Sequence, residues 1–267
     1  MTEPLLEYRD VEVSYNGVPV VHDVSFPVMP NEIICVVGES GSGKSTLVKA
    51  AMGQLGSRGL VTRGDIWYEG TSLPDLPARD LRRLCGSDFA LVFQDCLAAL
   101  TPIRRIGDQI HESMAAHRSI SRAECDDLAC TMFAKLGLED PQRVLESYPF
   151  NLSGGMGQRV GIAMALMSEP RILFADEPTS ALDVIVQAQV VELLGRINEK
   201  LGTTIVLVTH NMGVVRALAD HVLVLKDGRA VEFGEADQVL NAPAETYTRE
   251  LLDAAPKLSR AGGEVRA

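Results

Sequence analysis

The sequence GESGSGKS at residues 38–45 decides the fold of this chain. It matches the phosphate-binding P-loop pattern, in which a glycine is followed by four residues and then by Gly-Lys-Ser. The apolar run Ile33–Val37 before it predicts a buried strand, and residues 46–52 after it predict a helix. Backbone N–H groups of such a loop surround phosphate oxygens, and the helix N-terminus adds a partial positive charge. The sequence therefore predicts a nucleotide-binding α/β fold.

The residues of the P-loop have distinct predicted tasks. The Lys44 ammonium reaches the terminal phosphates, and the Ser45 hydroxyl can bind Mg²⁺. The alternative is a glycine- and serine-rich turn with a solvated lysine, and the strand and helix around the motif argue against it. The predicted nucleotide contacts are Gly38, Glu39, Ser40, Gly41, Ser42, Gly43, Lys44, Ser45 and Thr46.

Composition limits the class of protein. The chain of 267 residues has 25 Lys and Arg against 36 Asp and Glu, a net charge of -11, which argues against a nucleic-acid partner. Neither a signal peptide nor an apolar run of membrane-spanning length is predicted, so at a membrane the chain would be a peripheral subunit. The five cysteines contain no C-x-x-C pair and are typical of buried side chains in a reducing compartment: Cys35, Cys85, Cys96, Cys125 and Cys130.

Strand and helix patterns divide the chain into three parts. Residues 5–29 alternate as two strands around Asn16-Gly17 and predict a small antiparallel sheet. Residues 95–165 have apolar residues at helical spacing and predict a helical subdomain. Elsewhere, buried strands alternate with helices, which predicts a parallel sheet covered on both faces. These further elements are strands at 64–70, 89–93, 172–175, 204–208, 222–225 and 230–233, and helices near Pro77, at 184–200 and near 212–219.

Two carboxylates follow the apolar strand at residues 172–175. Asp176 stands where P-loop enzymes hold Mg²⁺, directly or through water. Glu177 follows it, toward the γ-phosphate, where a carboxylate could act as the general base for the attacking water. The dipeptide alone would be read as a solvated strand end, but the upstream P-loop favours the catalytic interpretation.

Several motifs together carry a resemblance to a known family. Residues 152–156, Leu-Ser-Gly-Gly-Met, match the signature motif of ABC transporter ATP-binding subunits, although many members have glutamine in place of the methionine. Phe93-Gln94 resembles their Q-loop, residues 180–183 their D-loop, and Thr209-His210 their switch histidine. Tyr15 occupies the position of the aromatic residue that stacks on adenine.

The resemblance implies the fold and its boundaries. It predicts a P-loop NTPase (RecA-like) core with an N-terminal antiparallel β subdomain and an inserted helical subdomain. A single ATPase domain would span residues 5–252, with the core at 5–94 and 166–235, the helical subdomain at 95–165, and a C-terminal tail at 253–267.

The resemblance also implies roles for single residues. Tyr15 would stack on adenine, Gln94 would reach Mg²⁺ or the water, and His210 would touch the γ-phosphate. For Tyr15 and Gln94 the structural alternatives are a packed hairpin aromatic and a capping glutamine. The implied substrate is ATP with Mg²⁺, the implied metal ligands are Ser45, Gln94 and Asp176, and the implied catalytic residues are Glu177 and His210. In this family Ser153, Gly154 and Gly155 act on ATP held by the opposite subunit, and Asp183 belongs to the D-loop.

The particular residues of these motifs resemble those of the peptide and nickel importer branch of the family. This implies a heterodimer with a second, non-identical ATPase, located at the cytoplasmic face of the cell membrane. The two ATPases would bind two permease subunits, and an extracytoplasmic solute-binding protein would deliver the solute to the permeases. A permease segment would dock at residues 95–110. The expected solute is an oligopeptide or dipeptide. The alternative is nickel or a metal chelate, which the short chain after Leu252 favours.

Two residues depart from the pattern of the branch. Cys96 stands where proline is usual, which favours a looser turn, and Gly157 replaces a usual arginine, which adds backbone freedom. Two other classes remain as alternatives: a soluble ABC protein of DNA repair or translation, and a regulatory module that binds nucleotide without hydrolysis. The acidic balance argues against the first class, and Glu177 with His210 argues against the second.

Overall fold

An antiparallel sheet forms the N-terminal part of the molecule. The computed structural model describes residues 3–180 and 182–254. Strands β1 (Leu6–Tyr15), β2 (Val18–Val28), β4 (Gly59–Tyr68) and β5 (Thr71–Ser72) pair in the order β2-β1-β4-β5. The turn between β1 and β2 is Asn16-Gly17, and both of its residues have positive φ, as a tight hairpin requires.

A larger, mostly parallel sheet lies beside the first. Its order is β10-β9-β3-β8-β7-β6, and only β10 runs antiparallel to its neighbour. Its strands are β3 (Ile33–Val37), β6 (Phe89–Val92), β7 (Ile172–Asp176), β8 (Thr204–Val208), β9 (His221–Lys226) and β10 (Arg229–Glu235). Strands β3, β8 and β7 are neighbours, so the segments that follow them emerge at one edge.

Helices connect and cover the sheets. Between β6 and β7 the chain forms four helices and a short 3₁₀ turn at Pro149–Asn151, and no strand interrupts this described segment. The helices are α1 (Lys44–Ala51), α2 (Ala78–Ser87), α3 (Ile106–Ala115), α4 (Arg122–Lys135), α5 (Pro141–Glu146), α6 (Gly154–Leu166), α7 (Val184–Leu201), α8 (Met212–Leu218), α9 (Ala236–Asn241) and α10 (Thr246–Ala254). None of the described helices is long and apolar enough to cross a membrane.

The core has two apolar clusters, one on each face of the parallel sheet. Every residue of β3 is buried, because successive side chains of a strand point to opposite faces. Ile33, Cys35 and Val37 join the cluster that includes α3–α7, whereas Ile34 and Val36 join the cluster under the antiparallel sheet and α1. The predicted fold class is confirmed: a P-loop α/β core with an antiparallel β subdomain and an inserted group of helices.

The structure differs from the sequence-based expectation in several elements. Strand β4 begins at Gly59 instead of residue 64, because its first residues are largely exposed and have no apolar pattern. Helices α9 and α10 were not predicted. Helix α10 continues to Ala254, past the expected start of the tail at residue 253, and the rest of that predicted tail lies outside the described residues.

Candidate functional site

The P-loop connects β3 to α1, and Lys44 is folded into it. The Lys44 ammonium donates to the carbonyl oxygens of Gly38 at 2.9 Å and Glu39 at 2.8 Å. Its side chain is buried, and this burial lowers the pKa of Lys44, while the nearby carboxylates of Glu177 and Asp176 oppose that shift. A buried cation beside loop carbonyls is suited to a polyanionic ligand, whose phosphates would replace these weak acceptors.

The loop has the backbone shape and the spare donor that a phosphate needs. Gly38, Gly41 and Gly43 have φ of 149°, 83° and 98°, a region that side chains disfavour. A methyl group at Gly38 would overlap the Leu225 carbonyl oxygen, so the start of the loop is also sterically closed to larger residues. The Ser42 hydroxyl is buried and has no hydrogen-bond partner among the described residues, which leaves it free for a phosphate oxygen.

The nine predicted P-loop contacts differ in exposure. Glu39, Ser40 and Gly41 are exposed, and Ser45 and Thr46 are half-buried. Thr46 N–H donates to the Gly43 carbonyl at 3.0 Å in the first turn of α1. The N-terminus of α1 therefore faces the loop.

One further predicted residue, Asp176, meets the P-loop at the edge of the sheet. The Ser45 hydroxyl donates to Asp176 Oδ1 at 2.8 Å, although 131 residues separate them in sequence. Strand β7 ends at Asp176, two strands away from β3 in the sheet. A hydroxyl and a carboxylate oxygen side by side are hard ligands of the kind that Mg²⁺ prefers.

Glu177 and His210 form a pair at the same edge. His210 Nδ1 lies 2.8 Å from Glu177 Oε2, and the two follow the neighbouring strands β7 and β8. Glu177 has φ of 50° and its N–H donates to the Val208 carbonyl at 2.9 Å, which holds the backbone at the strand end. They line a cavity of about 100 Å³ together with Thr179, Ser180 and Thr209.

Tyr15 lies at the end of β1, on the antiparallel sheet. Its ring is half-buried beside Gly59, where a methyl group would come within 2.7 Å of Tyr15 Cε1. Val18, its partner across the hairpin, is 64% exposed. The ring is therefore packed on the sheet on one side, next to an exposed apolar residue.

The segment after β6 is hydrogen-bonded to α6, the helix that begins with the signature residues. Gln94 itself is exposed. The carbonyl of its neighbour Phe93 accepts a hydrogen bond at 3.3 Å from the Gln158 amide, whose residue is only 3% exposed. The sequence analysis did not predict that Gln158 contacts this segment. Gln158 simply continues the signature motif within α6, and nothing in the local sequence indicates a partner 65 residues away.

The two departures from the branch pattern, Cys96 and Gly157, both lie where the segment after β6 packs against α6. Leu97 fills the space where a side chain at Gly157 would stand, and Cys96 fills the space at Gly161 one helical turn later. Cys96 is buried, which raises the pKa of its thiol to about 12. Both departures therefore lie where the segment after β6 packs closely on α6.

The signature residues lie at the start of α6, whereas the P-loop precedes α1. Ser153 caps α6 by accepting from Met156 N–H at 3.3 Å, and Ser153 and Gly154 are exposed. A methyl group at Gly155 would come within 2.7 Å of Val186 Cγ1, so this end of α6 packs on the start of α7. Among the described residues, no hydrogen bond joins the three signature residues to the P-loop, Asp176, Glu177 or His210.

Asp183 caps the adjacent helix α7. Its Oδ1 accepts from the N–H groups of Ile185 and Val186, both at 3.0 Å. Val184 and Ile185, which follow it, are 77% and 73% exposed. The two exposed helix starts, at Ser153 and at Asp183, thus form one surface of the molecule through the contact of Gly155 with Val186.

Fold and site together define a P-loop nucleoside triphosphatase with an inserted helical subdomain. Residues 21–180 match the family model described as ABC transporter, and the chain belongs to this family.

Curated relatives match nearly the whole chain. The peptidoglycan transport ATP-binding protein YejF of Agrobacterium fabrum is 42% identical over 96% of this chain, which spans 48% of that protein. The oligopeptide transport ATP-binding protein OppD of Salmonella typhimurium is 38% identical, with 98% of this chain and 79% of the relative covered. The dipeptide transport ATP-binding protein DppD of Bacillus subtilis is 39% identical, with 98% and 80% covered.

Solved structures are similar as well. The dimeric structure of MJ0796, described as a bacterial ABC transporter cassette, has a TM-score of 0.77 at 28% identity and covers 86% of this chain and 98% of its own. A post-hydrolysis dimer of the same cassette with ADP and Pi has a TM-score of 0.76 at 27% identity, with the same coverage.

Proposed function

We propose that this chain is the ATP-hydrolysing subunit of an ABC importer that takes up oligopeptides or dipeptides. The observation that carries the proposal is the meeting of Lys44, the Ser45–Asp176 pair and the Glu177–His210 pair at the carboxyl edge of three neighbouring strands. The peptide and peptidoglycan transport names of the relatives support the solute class, and they favour peptides over nickel.

The residues of the site have separate roles in this proposal. Ser45, Asp176 and Gln94 would hold Mg²⁺, which neutralises phosphate charge when it is bound. Lys44 and the P-loop N–H groups bind the phosphates of ATP, and Tyr15 offers its ring to adenine. Glu177 accepts a proton from the attacking water as general base. His210 orients the Glu177 carboxylate through their 2.8 Å contact and would also contact the γ-phosphate of bound ATP.

The signature residues act in trans in the proposed assembly. The α6 N-terminus carries a serine hydroxyl and exposed backbone N–H groups, which suit a γ-phosphate held by a second ATPase subunit. The solved relatives are described as dimers, which supports this arrangement. The second subunit is non-identical in the proposed complex, so the assembly is a heterodimer in which Asp183 lies near the subunit contact.

The permease contact is proposed at the junction of the core and the helical subdomain, residues 95–165. A cavity of about 410 Å³ lies there, lined by residues of α2, β6, α3 and α6, which include Met114, and by Phe93 and Cys96 of the segment after β6. Ile103, in the same segment, is 83% exposed. A permease segment that fills this cavity would bring the chain to the cytoplasmic face of the membrane, under two permeases fed by an extracytoplasmic binding protein.

The proposed chemistry is tested by Glu177→Gln. This change keeps the size of the side chain and removes the base, so phosphate release should fall by about 100-fold or more while ATP binding persists. Glu169→Gln is a matched control, because Glu169 is an exposed glutamate with nearly the same φ, 51°. Hydrolysis that survives in Glu177→Gln would refute the assigned base.

The solute is tested separately by uptake. Cells that carry the intact transporter should accumulate a labelled oligopeptide, and cells with Lys44→Met in this chain should not. Accumulation of nickel with no uptake of peptide would replace the proposed solute without affecting the ATPase assignment.

A further inference from the structure

Helix α10, the last helix of the described residues, touches the P-loop through one tyrosine, Tyr247. We propose that Tyr247 is a positioning residue that holds the P-loop in its phosphate-binding shape by accepting a hydrogen bond from Glu39 N–H. The two atoms lie 3.4 Å apart, and 208 residues separate them in sequence. Tyr247 does not need to touch ATP for this role, because it acts through the backbone of the loop.

The P-loop has a second anchor on the same side. Gly228 N–H donates to the Ser42 carbonyl at 3.1 Å, and Gly228 Cα lies 3.7 Å from the place where a side chain at Gly43 would begin. The carbonyl of Leu225 closes the space at Gly38. The hairpin between β9 and β10 therefore supports the middle and the start of the loop, and Tyr247 adds a contact at Glu39, which the hairpin does not hold.

Tyr247 is itself held by neighbours that fix its ring. It is only 8% exposed, and Lys226 Nζ lies 4.3 Å from the ring centroid, in the range of a cation–π contact. Glu232 accepts from the N–H groups of Ala244 at 2.8 Å and Glu245 at 3.2 Å, which ties the start of α10 to β10. A tyrosine held in this way offers its oxygen to Glu39 at little further entropic cost.

The consequence for function is preorganisation of the ATP site. A glycine-rich loop loses much conformational freedom when it closes on phosphates, because glycine has many backbone states. A contact that restricts Glu39 before ATP arrives lowers that loss and improves affinity. The proposed catalytic residues Glu177 and His210 follow other strands, β7 and β8, so the turnover of bound ATP should change little.

The test is Tyr247→Phe in the full chain, with MgATP binding measured by calorimetry. Loss of one neutral hydrogen bond should raise the Kd for MgATP by about three- to tenfold, and kcat in the assembled transporter should stay within about twofold. Hydrogen exchange should show faster exchange of the Glu39 amide without ligand, which a general loss of stability would not produce at this one site.

Tyr68→Phe is the matched control. Its hydroxyl donates to Asp88 at 2.7 Å, in a part of the molecule away from the P-loop, so its loss should leave the Kd unchanged. An unchanged Kd and Glu39 exchange rate in Tyr247→Phe would overturn the proposal, and so would an equal loss of affinity in Tyr68→Phe.

A second variant keeps the test decisive if Tyr247→Phe folds poorly. Lys226 is exposed, so Lys226→Gln should fold normally while it removes the cation above the Tyr247 ring. We expect a rise in Kd of about twofold or more, and no rise in Lys200→Gln, an exposed lysine at the end of α7. Equal affinities for both variants and the wild type would also overturn the proposal.

Discussion

Lys44 is held at a cost to stability that the nearby carboxylates offset in part and that a phosphate ligand would offset further. Its ammonium is buried among loop carbonyls, and burial lowers the pKa of the side chain. An ammonium loses hydration in such a place, and neutral carbonyl oxygens replace only part of it. Negatively charged phosphates would restore the lost interaction, so the same residue weakens the empty loop and strengthens the loaded one.

This balance gives a prediction for Lys44→Met. The change removes a buried charge at similar length, so the melting temperature without ligand should stay equal or rise slightly. The increase in melting temperature that MgATP gives the wild type should disappear, because stabilisation by a ligand follows its affinity for the folded state. Thermal unfolding with and without MgATP checks both results.

Lys49→Met is the control for this prediction, since Lys49 is an exposed lysine on the same helix α1. It should keep the full response to MgATP. A Lys44→Met protein that MgATP still stabilises like the wild type would contradict the role of this ammonium.

At the scale of elements, α6 is built to receive the segment after β6. Gly157 and Gly161 lie one helical turn apart, on the face where Leu97 and Cys96 pack. Gln158 adds a hydrogen bond to the Phe93 carbonyl, next to Gln94. The helix that begins with the signature residues is thereby joined to the segment that carries Gln94, so a shift of either element would disturb their contact.

Gly161→Ala separates packing from helix propensity. Helix propensity alone predicts that alanine in place of glycine inside a helix raises the free energy of unfolding by about 1 kcal/mol. The new methyl group would overlap the Sγ and Cβ atoms of Cys96, so we expect a loss of about 1–3 kcal/mol in the free energy of unfolding instead. Urea denaturation measures the difference.

Two companion variants complete this test. Gly195→Ala in α7 should be neutral or stabilising, because the nearest obstacle is the end of the Leu218 side chain at 3.3 Å. Cys96→Gly should rescue much of the loss in Gly161→Ala by removing the overlapping atoms. A stabilised Gly161→Ala protein would show that the contact between these elements is loose.

At the scale of the whole molecule, the site is divided between two surfaces. The P-loop, Asp176, Glu177 and His210 meet at the edge of the parallel sheet, whereas the signature residues are exposed beside the start of α7. The exposed Val184 and Ile185 lie next to this second surface. In the proposed assembly these surfaces face those of another ATPase subunit.

The division predicts a dependence of activity on assembly. The isolated chain should hydrolyse ATP slowly, and its rate per chain should rise with protein concentration or on addition of the second ATPase subunit. Phosphate release measured across a dilution series, with the mass of the particles determined in parallel, checks this. Rapid and concentration-independent turnover by a verified monomer would contradict it.

The sequence predicted the elements whose pattern is local. Strand β8 was predicted at its observed bounds, because all of its residues are apolar or β-branched and are buried in the sheet. The Asn16-Gly17 turn was correct for a similar reason, since positive φ at both of its positions favours those residue types. The start of β4 was missed because its exposed residues leave no periodic signal.

The amino-acid sequence by itself determined the P-loop, the carboxylates that end β7 and the resemblance to ABC transporter subunits, because each is encoded in consecutive residues. Only the tertiary structure decided that Ser45 meets Asp176, that Gln158 holds the Phe93 carbonyl, and that Tyr247 supports Glu39. These contacts join residues 65 to 208 positions apart. The strand order β10-β9-β3-β8-β7-β6 brings the sheet edge and α10 together. Local residue patterns along the chain do not determine that order.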